Sequence, residues 1–278
     1  MANEKYALFD TDFISKMHLV RKDDQNKLIE KIVTMPNYKF FCHKQVSDEL
    51  SRHNIAGAPE WFETKIQNDL IRLYDDEMIL NELAAIYGSL APAMYREMLK
   101  NACDAYKASY FEEKFLEVSK IDDLYISQEE FLKKLELDCD AIGVGNNLGE
   151  LKSYVLLQFL RIKFGQQIYV FCSDDKNARN GIVALGGASC ISVLSSFIRL
   201  QKEINFRREE AEPYIKSYMS CCLGRDQTTF KVQDMSKEKR MIKVPCEQVF
   251  DEMFKGKIGE MKTGNLKYVS SIATYNED

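Results

Sequence analysis

Acidic side chains at four separated points of the chain have the type and placement needed to bind a divalent metal ion. Each follows or adjoins a short apolar run, and they are Asp10, Glu49, Glu150 and Asp174. The carboxyl ends of parallel strands meet at one edge of a sheet, so we expect these carboxylates to converge there. Converging carboxylates repel one another unless a cation neutralises them. Oxygen ligands favour Mg²⁺ or Mn²⁺, and such an ion can activate water for attack on a phosphodiester.

Each of these residues also has a purely structural explanation. Asp10 or Asp12 could cap a following helix. Asn147 with Glu150 three residues later matches a capping box, and Glu49 alone is an ordinary surface glutamate. Their common placement at one predicted edge favours a site over four unrelated caps.

The apolar runs that must position these acids are four predicted strands, at 6–9, 39–42, 168–172 and 189–193. The stretch before the third strand has apolar residues at helical spacing, among them Leu148, Leu151 and Val155. Strands that alternate with helices predict an α/β fold with a parallel sheet.

Long amphipathic patterns at 61–74, 78–89 and 93–115 predict a helical insertion over about 55–137. Ser127 and Glu130 form a capping box that opens a further helix within it. After residue 197 we expect a charged helix to about Tyr218, followed by a hairpin with strands at 229–232 and 240–244 and a turn at 234–239. The sequence therefore predicts a core domain over 1–200 and an α+β extension over 201–278.

Composition favours a folded cytoplasmic protein. Of the 278 residues 45% are hydrophobic and 29% are charged, and the formal net charge is -5. No apolar run is long enough to span a membrane, and the first residues lack a signal-peptide pattern. The eight cysteines have no zinc-binding spacing, so we expect reduced thiols.

Taken together, these segments resemble the PIN-domain family of nucleases. The resemblance covers about residues 4–53 and 138–197. Its motifs are Asp10-Thr11 after a strand, Ser-Asp-Glu-Leu around Glu49, Leu-Gly-Glu ending in Glu150, and Ser173-Asp174-Asp175 followed by Ala178-Arg179. The long insertion and the tail depart from the compact form of the family.

The resemblance implies a three-layer, Rossmann-like PIN core and a Mg²⁺- or Mn²⁺-dependent endoribonuclease. Asp10, Glu49, Glu150 and Asp174 would be the catalytic metal ligands, with Asp175 as a further ligand. The implied substrate-binding residues are Thr11, Asp12, Ser173 and Arg179. Single-stranded or structured RNA is the expected partner, and the extension is the expected surface for a protein partner or a second copy.

Two other functions fit parts of the sequence. Asp10 and Asp12 after a strand also look like the haloacid-dehalogenase phosphatase signature, in which Asp10 would be the nucleophile and Asp174 and Asp175 would hold Mg²⁺. That reading leaves Glu49 and Glu150 without a role.

The other alternative is a non-catalytic module that binds RNA or protein. It would use the tail and the helix near Phe206, Arg207 and Arg208, with Tyr214 and Tyr218 stacking bases, although tyrosines at this spacing are commonly core residues. The histidines, His18, His43 and His53, are interpreted as surface or supporting side chains.

Overall fold

The structure, a computed structural model, describes residues 4–52, 55–107, 109–143, 147–172, 188–223, 227–233, 239–256 and 274–275. The chain divides into two compact units. Met1–Ser15 and Asn37–Val193 form one unit, and Lys16–Pro36 and Leu194–Asp278 form the other. The domains predicted from the sequence, 1–200 and 201–278, stay a prediction.

A parallel five-stranded sheet organises the first unit. Its strands are β1 (Lys5–Phe9), β2 (Tyr38–His43), β3 (Ile71–Tyr74), β4 (Ile168–Phe171) and β5 (Ser189–Ile191). Their order across the sheet is β3-β2-β1-β4-β5, and every neighbouring pair is parallel. The predicted α/β class and parallel sheet are confirmed.

Helices make up most of the remaining described structure. In chain order they are α1 (Thr11–Leu19), α2 (Leu28–Val33), α3 (Lys44–Arg52), α4 (Ala58–Gln67), α5 (Asp76–Tyr87), α6 (Ala91–Tyr106), α7 (Tyr110–Lys114), α8 (Gln128–Ile142), α9 (Leu148–Phe164), α10 (Val193–Ile204), α11 (Arg208–Tyr218) and α12 (Cys246–Phe254). None of these described helices is long and apolar enough to cross a lipid bilayer.

The central strand β1 is apolar on both faces because both faces of the sheet are covered. Tyr6 and Leu8 join a core that includes residues of α5, α6, α8 and α9. Phe9 points to the opposite face, where its ring stacks on Phe40 at 4.6 Å and on Phe13 of α1 at 5.9 Å. A strand covered in this way has no solvated side, which explains its continuous hydrophobic sequence.

The segment predicted as one helix over 61–74 contains a strand instead, so that part of the prediction is wrong. Helix α4 ends at Gln67, and Asp69 adopts a left-handed conformation with φ 55°. Residues 71–74 then extend and pair with β2 at the edge of the sheet. The buried residues of this strand, Ile71 and Tyr74, are three positions apart, which is also the spacing of one helical turn. Four residues are too few to distinguish a strand from a helix by their apolar pattern.

Other predicted helices have the expected type but are interrupted. The helix at 93–115 breaks at Lys107 into α6 and α7, and the one expected to reach Tyr218 breaks near Asn205, which has φ 52°. The capping box of α8 is confirmed on its N-cap side, since the Ser127 hydroxyl accepts a hydrogen bond of 3.2 Å from the Glu130 N–H.

The second unit contains the predicted hairpin. Strands β6 (Gln227–Gln233) and β7 (Lys239–Pro245) are antiparallel, with β8 (Thr274–Tyr275) added beside β7. Residues 234–238 of the predicted turn lie outside the described residues. All eight cysteines are free thiols, as expected.

Helix α9 supplies much of the core, and this generates a stability prediction. Phe159 is fully buried on α9 whereas Ile162, one turn away, is 37% exposed. We expect Phe159→Ala to lower the free energy of unfolding by about 3 to 5 kcal/mol through lost contacts and a cavity. Urea unfolding measures the change, and Ile162→Ala should cost less than about 1 kcal/mol. Equal losses for the two variants would contradict this account of the core.

Candidate active site

The sheet topology creates a crevice at the carboxyl end of β1. The chain runs from β1 outward to β2 and β3 on one side, whereas β4 and β5 lie on the other side. In open parallel sheets, ligands bind outside the strand ends where the order reverses in this way. Asp10 is the residue that follows β1, and its N–H donates a 3.0 Å hydrogen bond to the Phe171 carbonyl of β4.

The Asp10 carboxyl group lies in a buried and negative environment. Its residue is only 8% exposed. Burial, together with the nearby charges of Glu150, Asp12 and Glu49, raises the pKa of Asp10 from its ordinary 3.8 to about 8, although the Thr11 N–H donates to it and opposes the rise. The carboxylate form of Asp10 is therefore unfavourable unless a positive charge joins the cluster.

Glu49 is held next to the end of β1 by a specific hydrogen bond. The Thr11 hydroxyl donates to Glu49 Oε2 at 2.7 Å. The same carboxylate lies against Gly149 in the first turn of α9, so closely that a methyl group at Gly149 would overlap it. Glycine at this position lets the Glu49 carboxylate approach the backbone this closely. The N-terminal turn of a helix also favours a negative charge.

Glu150 adjoins this contact, and the Asn147 half of the predicted capping box is not formed. Asn147 precedes α9 in a left-handed conformation with φ 60°, and its side chain makes no cap hydrogen bond. Glu150 instead lines a small cavity together with Asp10. The structure thus brings Asp10, Glu49 and Glu150 together, while their catalytic role stays a prediction.

The other predicted site residues are distributed differently. Asp12 is partly exposed on α1, where its charge acts on Asp10. The Thr11 hydroxyl is engaged by Glu49, and its predicted role toward substrate stays a prediction. The remaining predicted residues lie outside the described part of the chain: Ser173, Asp174, Asp175 and Arg179.

The described residues alone do not form a complete metal centre. Among them, no group of three or more histidine, cysteine, aspartate or glutamate side chains is arranged to hold an ion. Asp174 and Asp175, two of the predicted ligands, fall outside that part of the chain. The chemistry of the three neighbouring carboxylates nevertheless fits a hard divalent ion, because all their donors are oxygens and their mutual repulsion would be relieved.

A second polar cluster next to this site was missed by the sequence analysis. The Asp76 carboxylate accepts hydrogen bonds from Lys152 Nζ at 2.8 Å, from His43 Nε2 at 3.2 Å and from the Tyr95 hydroxyl. The Gln45 N–H donates to His43 Nδ1, which leaves Nε2 as the protonated nitrogen. His43 is 3% exposed, so of the two interpretations given for it the surface residue is excluded and the supporting side chain agrees with its contact to Asp76.

Charge is balanced in this second cluster. Burial alone would raise the pKa of Asp76, but Lys152 and His43 outweigh it and hold that pKa well below its ordinary value. Burial opposes the charge of Lys152, yet Asp76 and Cys139 raise its pKa. Lys152 lies two residues after Glu150 on α9, so this pair fixes the same helix turn that carries Glu150. The signal in the sequence was Asp75-Asp76 after the strand at 71–74, and it was lost with that strand.

The second unit offers no support for base stacking by the residues named for it. Phe206, Tyr214 and Tyr218 are at most 4% exposed and pack in the core of that unit. Arg207 pairs with Glu210, and Arg208 pairs with Glu212 and with Asp251. Tyr214 and Tyr218 are therefore core residues, as their spacing favoured, and their rings are not accessible for stacking bases.

Comparison with known proteins adds no family assignment. No protein-family model matches the chain, and no curated protein matches it in sequence. The resemblance to PIN domains rests on the residues alone.

The raised pKa of Asp10 predicts how stability changes with pH. Because the folded state holds a proton that the unfolded chain releases above about pH 4, the contribution of Asp10 to the free energy of unfolding decreases as pH rises toward its folded pKa of about 8. We expect Asp10→Asn, which cannot ionise, to be more stable than the parent at pH 8 in EDTA, by up to about 5 kcal/mol.

Urea unfolding across this pH range measures the difference, which should shrink toward pH 4. Asp48→Asn is the matched control, because Asp48 is an exposed acid next to Glu49 and should follow the parent at every pH. A stability difference for Asp10→Asn that is constant with pH would contradict the buried negative cluster.

The Asp76–Lys152 pair predicts that the free energy of unfolding depends strongly on both partners. Lys152 is 1% exposed, so Lys152→Met leaves the Asp76 charge without its main partner and should lower the free energy of unfolding by about 3 to 5 kcal/mol. Lys152→Met combined with Asp76→Leu should recover much of that loss. The control is Lys163→Met on the same helix, whose partly exposed pair with Glu82 should contribute about 1 kcal/mol or less. A double variant no better than Lys152→Met would exclude a charge-balance role.

Proposed function

We propose that this protein is a metal-dependent nuclease that hydrolyses phosphodiester bonds in RNA. Its ion would be Mg²⁺ or Mn²⁺, held by Asp10, Glu49, Glu150 and Asp174. The observation that carries the proposal is the buried Asp10 carboxyl group, whose pKa is raised to about 8 by burial and by neighbouring acids. A site that stores this much repulsion gains stability from a divalent cation.

Each acid in the described part of the site has a distinct role in this proposal. Asp10 is the most buried ligand and is fixed by the end of β1. Glu49 is oriented by the Thr11 hydroxyl, which restricts its rotamers before an ion binds. Glu150 is carried by the first turn of α9, which the buried Asp76–Lys152 pair anchors.

When bound, a divalent ion supplies positive charge for the phosphate and lowers the pKa of a coordinated water. The protein's own contribution is to hold the carboxylates in place and to keep one of them out of bulk water. Asp12, partly exposed beside Asp10, would assist from the open side, with Asp175 as its counterpart after β4. The preference for RNA and the PIN-like character of the core come from the family resemblance.

The phosphatase alternative assigns no role to Glu49, although a hydrogen bond and a glycine contact fix its carboxylate at the site. The same assay tests the non-catalytic binding module. We propose the nuclease because it uses all three acids that lie together.

The assay offers labelled single-stranded RNA, single-stranded DNA and an aryl phosphate, each with Mn²⁺ or EDTA. We expect Mn²⁺-dependent cleavage of RNA and a Mn²⁺-dependent rise in melting temperature. Asp10→Asn and Glu49→Gln should each lower cleavage at least about 100-fold, because they remove ligands. Gly149→Ala should lower it as well, since its methyl displaces the Glu49 carboxylate without changing any charge.

Asp48→Asn is the control and should cleave RNA like the parent. Cleavage that persists in Asp10→Asn would exclude the proposed site. Turnover of the aryl phosphate alone would favour the phosphatase, and binding of RNA without cleavage would favour the non-catalytic module.

A further inference from the structure

A small cavity adjoins the acidic cluster, between β1, β4, α9 and the end of α6. Its volume is about 10 Å³, which is close to the space that one water molecule occupies. Asp10 and Glu150 line it on the side of the proposed active site, and Leu8 and Val170 contribute apolar walls. The cavity is therefore continuous with the carboxylates but too small for a hydrated ion, since Mg²⁺ keeps several of its waters.

Two further residues of α9, Ser153 and Tyr154, direct buried hydroxyl groups into this region. Both line the cavity, and they are 5% and 2% exposed. Neither hydroxyl oxygen has a hydrogen-bond partner among the protein atoms that the structure describes. A buried hydroxyl without a partner lowers stability, and native proteins contain few of them. Two such groups in one cavity therefore point to a bound polar molecule.

We infer that this cavity is a binding site for one water molecule, which links Ser153 and Tyr154 to the Asp10 carboxyl group. The water accepts hydrogen bonds from the two hydroxyls and donates to oxygens of the Asp10 and Glu150 carboxyl groups. These are the two to four polar partners that buried waters typically have. The hydroxyls of Ser153 and Tyr154 then both have a partner.

The water site gives Ser153 and Tyr154 a positioning role. Through the water they hold the Asp10 carboxyl group. An acid held in this way keeps its orientation when an ion binds to it. The water site does not depend on the proposed function, whereas its effect on ion affinity rests on that function.

The decisive variant is Tyr154→Phe in the full chain. Removal of its hydroxyl has opposite effects on stability in a cavity that holds a water and in a dry cavity. If the cavity holds a water, the variant loses a hydrogen bond, and the unfolding equilibrium constant should rise roughly fivefold. If the cavity is dry, the variant removes an unpaired buried hydroxyl, and the constant should fall. Tyr125→Phe is the matched control and should leave it unchanged, because Tyr125 is 66% exposed.

Oxygen-17 relaxation dispersion provides a direct count of long-lived buried waters. We expect the residence time of one such water to be shorter in Tyr154→Phe than in the parent, and the stability losses of Tyr154→Phe and Ser153→Ala to be non-additive because both hydroxyls share the water. Residence times that are unchanged in Tyr154→Phe, or a stabilised Tyr154→Phe, would overturn the inference. Stability that depends on Na⁺ or K⁺, tested against choline, would show a monovalent ion in place of the water and would also overturn it.

Mn²⁺ affinity, measured by calorimetry, connects the water site to the proposed function. We expect Tyr154→Phe to weaken Mn²⁺ binding about tenfold while Tyr125→Phe does not. If the parent binds no Mn²⁺ but the stability and relaxation results hold, the proposed function fails and the water site stands. Unchanged Mn²⁺ affinity in Tyr154→Phe would overturn the positioning role.

Discussion

The electrostatic cost of burying the Asp10 carboxyl group at the end of the central strand is the constraint on which the rest of the site depends. The backbone holds Asp10 in this position, because Asp10 continues the pairing of β1 with β4 and precedes a helix packed on the sheet. Neighbouring acids increase the cost, and the local contacts around them do not remove it. The polypeptide thus maintains a strongly proton-binding carboxyl group at the sheet edge.

Helix α9 connects two polar clusters, one in which the charges compensate each other and one that is negative. At Lys152 it brings a buried cation to Asp76, so that the two opposite charges make the pair neutral. At Glu150, half a turn earlier, it adds negative charge to an already negative cluster. The neutral cluster contributes rigidity, and it holds in place the helix turn whose charge is uncompensated. Compensated and uncompensated charge are in this way separated along a few residues of a single helix.

The sequence predicted the strands that build the centre of the sheet because each is an uninterrupted apolar run between polar segments. It also predicted that Asp10, Glu49 and Glu150 would lie together, because in a parallel sheet strand direction determines which ends meet. It did not predict β3, whose four residues are too few to show a period, and the Asp76 cluster was lost with it. The missing cap at Asn147 depends on its positive φ, and local residue spacing carries no information about that angle.

The register of the sheet also has a consequence for when the site can form. Tyr6 pairs with Ile168 and Phe9 with Phe171. The strand that precedes Asp10 therefore pairs with a neighbour that lies more than 150 residues further along the chain. Pairings between such distant segments are slow to form because a long loop must close first. On the ribosome, a nascent chain that has not yet exposed β4 therefore lacks the assembled acidic edge. Translation products that end before β4 would therefore lack any chemistry of that edge.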